Sequence, residues 1–149
     1  AQQVQGLADD DLLGPLVVAD FLMDKDDLFA RMTLDDNEYE LYARIQENLA
    51  LSAPTPDLVI YLQAPLDILQ QRIRDRGIDY ERHIELGYLR TLADAYTEFF
   101  HFYDDAPLLV VNAAAIDIAN NDAHFDALLE AVLAMDGARQ YFNPNPTLL

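Results

Sequence analysis

Cysteine and tryptophan are missing from this 149-residue chain, and lysine occurs once, at Lys25. Without cysteine the chain cannot form a disulfide, use a thiolate nucleophile or bind a metal through sulfur. No apolar run approaches the roughly 20 residues that a membrane-spanning helix needs. The sequence therefore predicts neither a disulfide-stapled nor a membrane protein, no membrane partner is expected, and a cytoplasmic location fits it.

Positive charge is scarce as well, because 27 acidic residues face 9 lysines and arginines and the formal net charge is −18. A protein that follows a nucleic-acid backbone needs a basic face, so a nucleic-acid polymer is not an expected partner. A small anionic ligand is different, since a few local arginines are enough to bind it. The hydrophobic fraction of 52% argues against wholesale disorder.

Short apolar runs alternate with segments of helical periodicity, a pattern that predicts an α/β fold with a parallel sheet and helices on both faces. The predicted strands, each expected to be covered on both sides, are 16–19, 57–63 and 107–111. The predicted helices are 22–31, one capped by Asp35 or Asp36 that runs to Leu49, Pro65 to Arg76, about 84–103 and about 125–133.

One domain is predicted over residues 1–137, followed by an extended, loosely held tail over 138–149. Residues 1–13 have helical periodicity but no cap, which favours additional sequence upstream. In a parallel sheet, ligands gather beyond the carboxyl ends of the strands. Asp20, Gln63 and Asn112 all lie at such predicted ends, so we expect them to mark one site.

The densest positive charge lies at 72–76, where three of the eight arginines fall within five residues. On a helix Arg72 and Arg76 share one face, while Arg74 projects away. The first two could bind a phosphate chain with forked hydrogen bonds. The alternative is an ordinary helix end, where arginine complements the helix dipole and pairs with Asp75 or Asp79.

Acidic candidates have similar alternatives. Asp20 could hold Mg²⁺ through water or orient a substrate hydroxyl, or it could cap the helix that follows. Glu81 could accept a hydrogen bond from a sugar hydroxyl, or it could be a first-turn carboxylate favoured by the helix dipole. The three histidines lack metal-ligand spacing, and no metal-binding residue is predicted.

Together these segments resemble the bacterial deoxynucleoside kinase family of P-loop kinases. The resemblance is carried by Val17-Val-Ala-Asp-Phe-Leu-Met-Asp-Lys25 with Leu28-Phe-Ala30, by Asp57-Leu-Val-Ile-Tyr-Leu62, by Arg72-Ile-Arg-Asp-Arg-Gly77 with Glu81, and by Tyr88-Leu89 and Tyr96. It covers nearly the whole chain up to about residue 135. Its best motif is the arginine-rich lid with the glutamate that follows.

The resemblance implies a transfer of the γ-phosphate of ATP, or of another nucleoside triphosphate, to the 5′-hydroxyl of a deoxynucleoside with Mg²⁺. By position, Arg72 and Arg76 match the lid arginines that contact the donor phosphates and the transferred group. Arg74 and Asn112 are expected on the donor side, because the loop after Asn112 resembles the region that packs on the donor adenine. Ile78 departs from the pattern, since many relatives carry another arginine there.

On the nucleoside side, Glu81 matches a lid glutamate that approaches the deoxyribose 3′-hydroxyl. Asp20 lies at or beside the acidic residue of the family's acid-Arg-Ser motif, although Phe21 follows it where relatives often have arginine. Asp24 belongs to the helix that helps to recognise the base. The sequence leaves the preferred base open.

The chain contains no G-x-x-x-x-G-K-[ST] motif. In the family this P-loop follows the first strand, so the chain resembles the C-terminal part of a kinase whose N-terminal strands and P-loop lie upstream. The expected fold is a three-layer P-loop kinase-like sheet without those elements. We expect this polypeptide alone to be inactive, because lid arginines by themselves do not position phosphates, Mg²⁺ and a hydroxyl.

Two further functions remain open. The chain could be a non-catalytic nucleotide-binding module, or an acidic helical interaction protein whose arginines pair with neighbouring aspartates.

By analogy with the family, a nucleotide-salvage enzyme and a homodimer formed through helices 1–13 and 38–52 are expected.

Overall fold

The computed structural model describes residues 17–49, 54–79, 81 and 84–144. The chain divides into two compact units, residues 1–55 and 56–149. The predicted helix over 1–13 lies outside the described residues. In the described ranges no helix combines the length and the apolar character needed to cross a bilayer.

The first unit contains helices α1 (Asp24–Thr33) and α2 (Asp36–Leu49). Asp35 caps α2, because its Oδ1 atom accepts hydrogen bonds of 2.9 Å from the backbone N–H groups of Asn37 and Glu38. Glu38 Oε2 in turn accepts from the Asp35 N–H at 3.1 Å, so the two side chains satisfy the helix start reciprocally. Both helices were predicted, and Asp35 rather than Asp36 is the cap.

The predicted strand 16–19 is wrong for its described residues. Residues 17–19 belong to no strand, and Val17 and Val18 are 50% and 86% exposed. Leu16 lies outside the described residues. An apolar run becomes a strand only where a neighbour supplies backbone partners, and the described chain places none beside 17–19.

The second unit follows the predicted alternation of strands and helices. In chain order its elements are β1 (Val59–Gln63), α3 (Leu66–Arg76), α4 (Leu86–Phe102), β2 (Leu108–Asn112), a short 3₁₀ helix (Ala113–Ala115), α5 (Asp122–Leu133) and β3 (Arg139–Phe142). The predicted strands 57–63 and 107–111 are confirmed within two residues at each end. Pro65 occupies the N-cap of α3, one residue before the first helical position.

The three strands form one parallel sheet in the order β1-β2-β3. The central strand β2 is buried on both faces, with Leu108, Leu109 and Val111 at most 1% exposed. The prediction of complete cover fails for β1, where Ile60 and Leu62 are 43% and 47% exposed. Among the described strands, β1 has a neighbour on one side only.

Helices pack on both faces of the sheet, as predicted. On one face Phe100 of α4 stacks on Tyr61 of β1, with ring centroids 4.2 Å apart. On the other face Leu128 of α5 is buried in a cluster with Leu109 and Val111. The unit is therefore a three-layer α/β structure around β2.

The prediction of a loosely held tail is wrong for residues 139–142, which form β3 and extend the sheet. The Leu108 N–H donates to Ala138 O at 2.9 Å where the two strands begin to pair. Arg139 supports the strand, because its Nη1 and Nη2 atoms donate to the carbonyls of Phe100 (2.8 Å) and Tyr103 (2.7 Å). These are orphan carbonyls at the end of α4, so one side chain joins β3 to that helix.

Candidate functional site

The carboxyl ends of β1 and β2 lie side by side, since Gln63 and Asn112 are partners in the strand register. Asn112 Oδ1 accepts from the Ala114 N–H at 3.2 Å, which turns the chain into the 3₁₀ helix immediately after the strand. This part of the predicted convergence is confirmed. Asp20, the third predicted member, belongs to the other compact unit.

The arginine segment, residues 72–76, forms the last turn and a half of α3. The helix ends there because Gly77 adopts the left-handed conformation, with φ 69°, and its N–H donates to Arg74 O. A residue with a β-carbon rarely adopts this conformation, so glycine is the natural stop. The helix dipole places partial negative charge at this end, and the arginines complement it.

Arg72 reaches from α3 to the loop beyond β2. Its Nη2 atom donates to Ala113 O at 2.6 Å and to Ile116 O at 3.3 Å. The side chain is thus at the carboxyl end of the sheet. Its contacts in this structure are neutral backbone carbonyls.

Arg76 forms a forked ion pair with Glu81. The Nε atom donates to Glu81 Oε2 at 3.0 Å and Nη2 donates to both carboxylate oxygens, at 2.5 and 2.6 Å. The Glu81 side chain is 11% exposed, whereas that of Arg76 is 61% exposed. The structure therefore brings together two residues that were predicted to contact two different groups, a phosphate and a sugar hydroxyl.

One of the two aspartates of the alternative pairing, Asp75, has a partner other than an arginine. Asp75 accepts hydrogen bonds from Gln71 on the preceding turn, at 2.9 and 3.1 Å. Arg74 is exposed, and within the described chain its side chain has no hydrogen-bond or ion-pair partner. Of the three arginines of the segment, Arg74 makes the fewest contacts.

The first unit holds the two remaining predicted residues. Asp20 is exposed in a bend. It does not occupy the cap of α1, because that helix begins at Asp24 and its N-cap position is Met23. Asp24 is the first residue of the helix and is exposed.

A polar cluster in the first unit was not predicted. Asp27 accepts hydrogen bonds of 2.7 Å from Arg31 Nε and from the Tyr39 hydroxyl, and the Arg31 guanidinium lies 4.9 Å from the Tyr39 ring centre. Burial pushes the pKa of Asp27 up, but the hydrogen bonds from Arg31 and Tyr39 outweigh it and the pKa lies below its usual value. The spacing of Asp27 and Arg31, four residues apart, was the available signal.

A cleft of about 360 Å³ lies on the α4 face of the sheet and is lined by Tyr61, Tyr141 and Arg139, among others. Burial raises the pKa of Tyr61, so its hydroxyl stays protonated at neutral pH. Arg139 already bonds two carbonyls at the end of α4. None of the predicted site residues except the strand-end Gln63 lines this cleft.

The described residues contain no group of three or more histidine, aspartate or glutamate side chains that could bind a metal ion. Among the described residues, Arg72 and its two carbonyls lie next to Asn112, and Arg76 pairs with Glu81 one turn further along the chain. The arginines of this set can bind an anion, and its carboxylate can accept a hydrogen bond from a hydroxyl group.

Residues 15–135 match the family described as deoxynucleoside kinase. A deoxyguanosine kinase of Bacillus subtilis (strain 168) is 31% identical over 119 residues, which are 77% of this chain and 58% of that protein. A deoxyadenosine kinase of Dictyostelium discoideum is 36% identical over 87 residues, 55% of this chain and 36% of that protein. A deoxyadenosine kinase of Lactobacillus acidophilus is 27% identical over 118 residues, 70% of this chain and 55% of that protein.

The chain thus spans about half the length, or less, of these curated relatives. No solved structure gives a significant match.

Proposed function

Because the chain belongs to the deoxynucleoside kinase family, we propose that it supplies the lid of a kinase. That enzyme transfers the γ-phosphate of ATP, or of another nucleoside triphosphate, to the 5′-hydroxyl of a deoxynucleoside. The three-layer parallel α/β unit is consistent with a P-loop kinase-like fold. The proposal extends to a cytoplasmic enzyme of nucleotide salvage that forms a homodimer through its helices.

The observation that carries the proposal is the position of the Arg76–Glu81 pair. It joins the last residue of α3 to Glu81, and Arg72 of the same helix contacts the loop after β2. A cation for a phosphate and a carboxylate for a sugar hydroxyl are therefore present on one short segment. Phosphoryl transfer depends on positioning and on charge stabilisation, which are the two things that such groups provide.

In the proposed reaction the pair opens when ligands bind. Arg76 exchanges the Glu81 carboxylate for phosphate oxygens. Glu81 then becomes available to accept a hydrogen bond from the 3′-hydroxyl of the sugar. The exposed Arg76 guanidinium can leave the pair, whereas the largely buried Glu81 carboxylate then needs the sugar hydroxyl as its new hydrogen-bond donor. A forked guanidinium–phosphate contact in a closed site is strong.

The other predicted residues take supporting roles in this proposal. Asp20 and Asp24 contribute to the nucleoside side, and Arg74 with Asn112 contributes to the donor side. Mg²⁺ accompanies the nucleotide. It has no assigned ligands in this chain, because the described residues contain no fitting group.

A labelled phosphate-transfer assay tests the proposal in two steps. The purified chain should give no turnover with ATP, Mg²⁺ and any of the four deoxynucleosides, since it carries no G-x-x-x-x-G-K-[ST] motif. Residues 15–135 should support turnover when they replace the matching part of the Bacillus subtilis deoxyguanosine kinase. In that chimera Arg76→Ala should lower kcat by about 10²–10³-fold, the usual effect of losing one donor to the transition state.

The matched control is Arg90→Ala, because Arg90 is an exposed arginine of the following helix. Its substitution should leave kcat unchanged. A chimera that folds and binds ATP but never transfers phosphate would contradict the assignment to a kinase.

One observation favours a second candidate. Arg72 and Arg76 both have partners inside the chain, as expected if they serve only the fold of a non-catalytic nucleotide-binding module or of an acidic interaction protein. Under the interaction-protein alternative, Arg72→Ala combined with Arg76→Ala leaves ATP binding, measured by calorimetry, unchanged. Under the binding-module alternative, ATP binds but the chimera has no turnover.

A further inference from the structure

The Arg72 side chain connects two segments that are far apart in sequence. Its Nη2 atom bonds the carbonyls of Ala113 and Ile116, 41 and 44 residues later in the chain. Both acceptors belong to the turn that follows the carboxyl end of β2. The contact therefore joins the arginine-bearing end of α3 to the loop where parallel sheets bind their ligands.

That loop is firmly held on its inner side. Ala113 and Ile116 are 3% and 5% exposed and pack in the same apolar cluster as Val111 and Leu128. Their carbonyls nevertheless point to Arg72, which is mostly exposed. The side chains of Ala113 and Ile116 anchor the loop in the core, and Arg72 bonds the backbone of the same loop from α3.

The guanidinium has donors left over. Arginine carries five N–H groups in a planar fork, and the two on Nη2 account for both carbonyl bonds. The Nε and Nη1 groups have no partner in the described part of the chain, so another edge of the fork can still bind an anion. A single side chain can thus contact a phosphate and the loop at the same time.

We propose that Arg72 is a positioning residue that couples the phosphate-binding end of α3 to the 113–116 loop. A triphosphate on the outer edge of the guanidinium orients its inner edge, and the loop carbonyls follow. The loop then presents a defined surface to the base of the same nucleotide. This inference rests on the proposed function, because that function places a nucleoside triphosphate beside α3.

Lysine cannot replace arginine in this role. Its ammonium group keeps the positive charge but is a point donor without two separate edges, so contact with a phosphate competes with contact to the carbonyls. Arg72→Lys therefore separates charge from coupling. Arg72→Gln removes both, and Arg90→Lys and Arg90→Gln are matched controls on an exposed arginine of α4.

Amide hydrogen exchange without nucleotide tests the contact between Arg72 and the 113–116 loop. The Ala114 N–H donates to Asn112 Oδ1 and the Asp117 N–H donates to His124 Nδ1, so both amides report on the loop. In Arg72→Lys and Arg72→Gln these two amides should exchange about 5–30-fold faster, while those of β2 keep their rates. Unchanged exchange at Ala114 and Asp117 in both variants would show that Arg72 does not hold this loop.

Calorimetry with two ligands tests the coupling. Inorganic triphosphate has the phosphates but no base, whereas ATP has both. Arg72→Lys should weaken ATP binding about tenfold more than triphosphate binding, a ratio within the usual range of coupling between two sites. The Arg90 variants should bind both ligands as the unaltered chain does.

Equal losses for the two ligands would overturn the coupling and leave Arg72 as a plain phosphate contact. If the unaltered chain binds neither ligand, the coupling fails, whereas the proposed function is decided by turnover of the chimera. The exchange measurement still reports on the contact between Arg72 and the loop in that case, so the two failures are distinguishable.

Discussion

Strands β1 and β2 lie side by side and have similarly apolar sequences, Val-Ile-Tyr-Leu-Gln and Leu-Leu-Val-Val-Asn, yet they are buried to very different extents. Ile60 is 43% exposed and its register partner Leu109 is 1% exposed. Leu62 and its partner Val111 are 47% and 0% exposed. The apolar pattern predicted complete cover for both strands, and only β2 has it.

The difference is one of neighbours. β2 pairs with a strand on each side and has a helix on each face, whereas β1 has a described partner on one side only. An apolar side chain beside an open edge keeps part of its surface in water, however apolar it is. Such an edge is also where a further strand could pair, because alternate backbone groups point outward without partners.

The largest effect should come from placing a charge on each strand. Val111→Asp buries a carboxylate where no cation or water can reach it, and we expect it to cost more than about 4 kcal/mol. Leu62→Asp, at the neighbouring position, should cost less than about 1 kcal/mol because its carboxylate remains hydrated. Urea unfolding followed by circular dichroism measures both. Equal losses would mean that β1 is covered in solution.

Truncating the paired side chains gives a smaller contrast. Leu109→Ala leaves a cavity in the core and should lower the free energy of unfolding by about 2–5 kcal/mol. Ile60→Ala removes a half-exposed side chain and should lower it by less than about 1.5 kcal/mol. The same unfolding experiment applies, and a larger loss at Ile60 than at Leu109 would contradict the assignment of β1 as an edge.

At the opposite edge of the sheet, β3 also has a described strand neighbour on one side only, and the Arg139 side chain links it to α4. A substitution tests how much this link stabilises the fold. Arg139→Met keeps much of the length of the side chain but removes the bonds to the Phe100 and Tyr103 carbonyls, and should cost about 1–3 kcal/mol. The exposed Arg90→Met is the control and should stay within about 0.5 kcal/mol. If both substitutions have the same effect, the carbonyl contacts of Arg139 do not hold β3.

The mildest test changes no residue. The Val59 N–H donates to Pro107 O at 2.8 Å, so the amides of Tyr61 and Gln63 also face β2 and those of Ile60 and Leu62 face the open edge. Hydrogen exchange should therefore be fast at 60 and 62 and slow at 61. Slow exchange at all three positions would indicate that another segment pairs with β1.

Local signals predicted most of the elements correctly. The cap at Asp35, the proline before α3, the glycine that ends it and the apolar period of α4 and α5 all act within a few residues, and each element formed where expected. Predictions that depended on distant partners failed, including the complete cover of β1. Residues 17–19 have the composition of a strand but no described neighbour. Residues 139–142 were predicted to be a loosely held tail but pair with β2.

The candidate site shows the same division. Composition and spacing were enough to single out Arg72, Arg76 and Glu81. The fork between Arg76 and Glu81 was not predicted, because the path of the chain after Gly77 decides whether two side chains five residues apart can meet. The bonds from Arg72 to Ala113 and Ile116 depend on how α3 packs beside the end of β2.

Sequence alone was sufficient for the class of fold and for the residue types that can bind an anion, since these follow from periodicity, turn residues and charge along the chain. The family followed from the resemblance of several segments to known kinases, and the family match over residues 15–135 supports it. Only the tertiary structure decided which strand is central, which is an edge, and which partner each arginine takes. The physical reason is that burial and hydrogen bonding are satisfied by groups brought together in space, and for β2, β3 and Arg72 those groups lie tens of residues away.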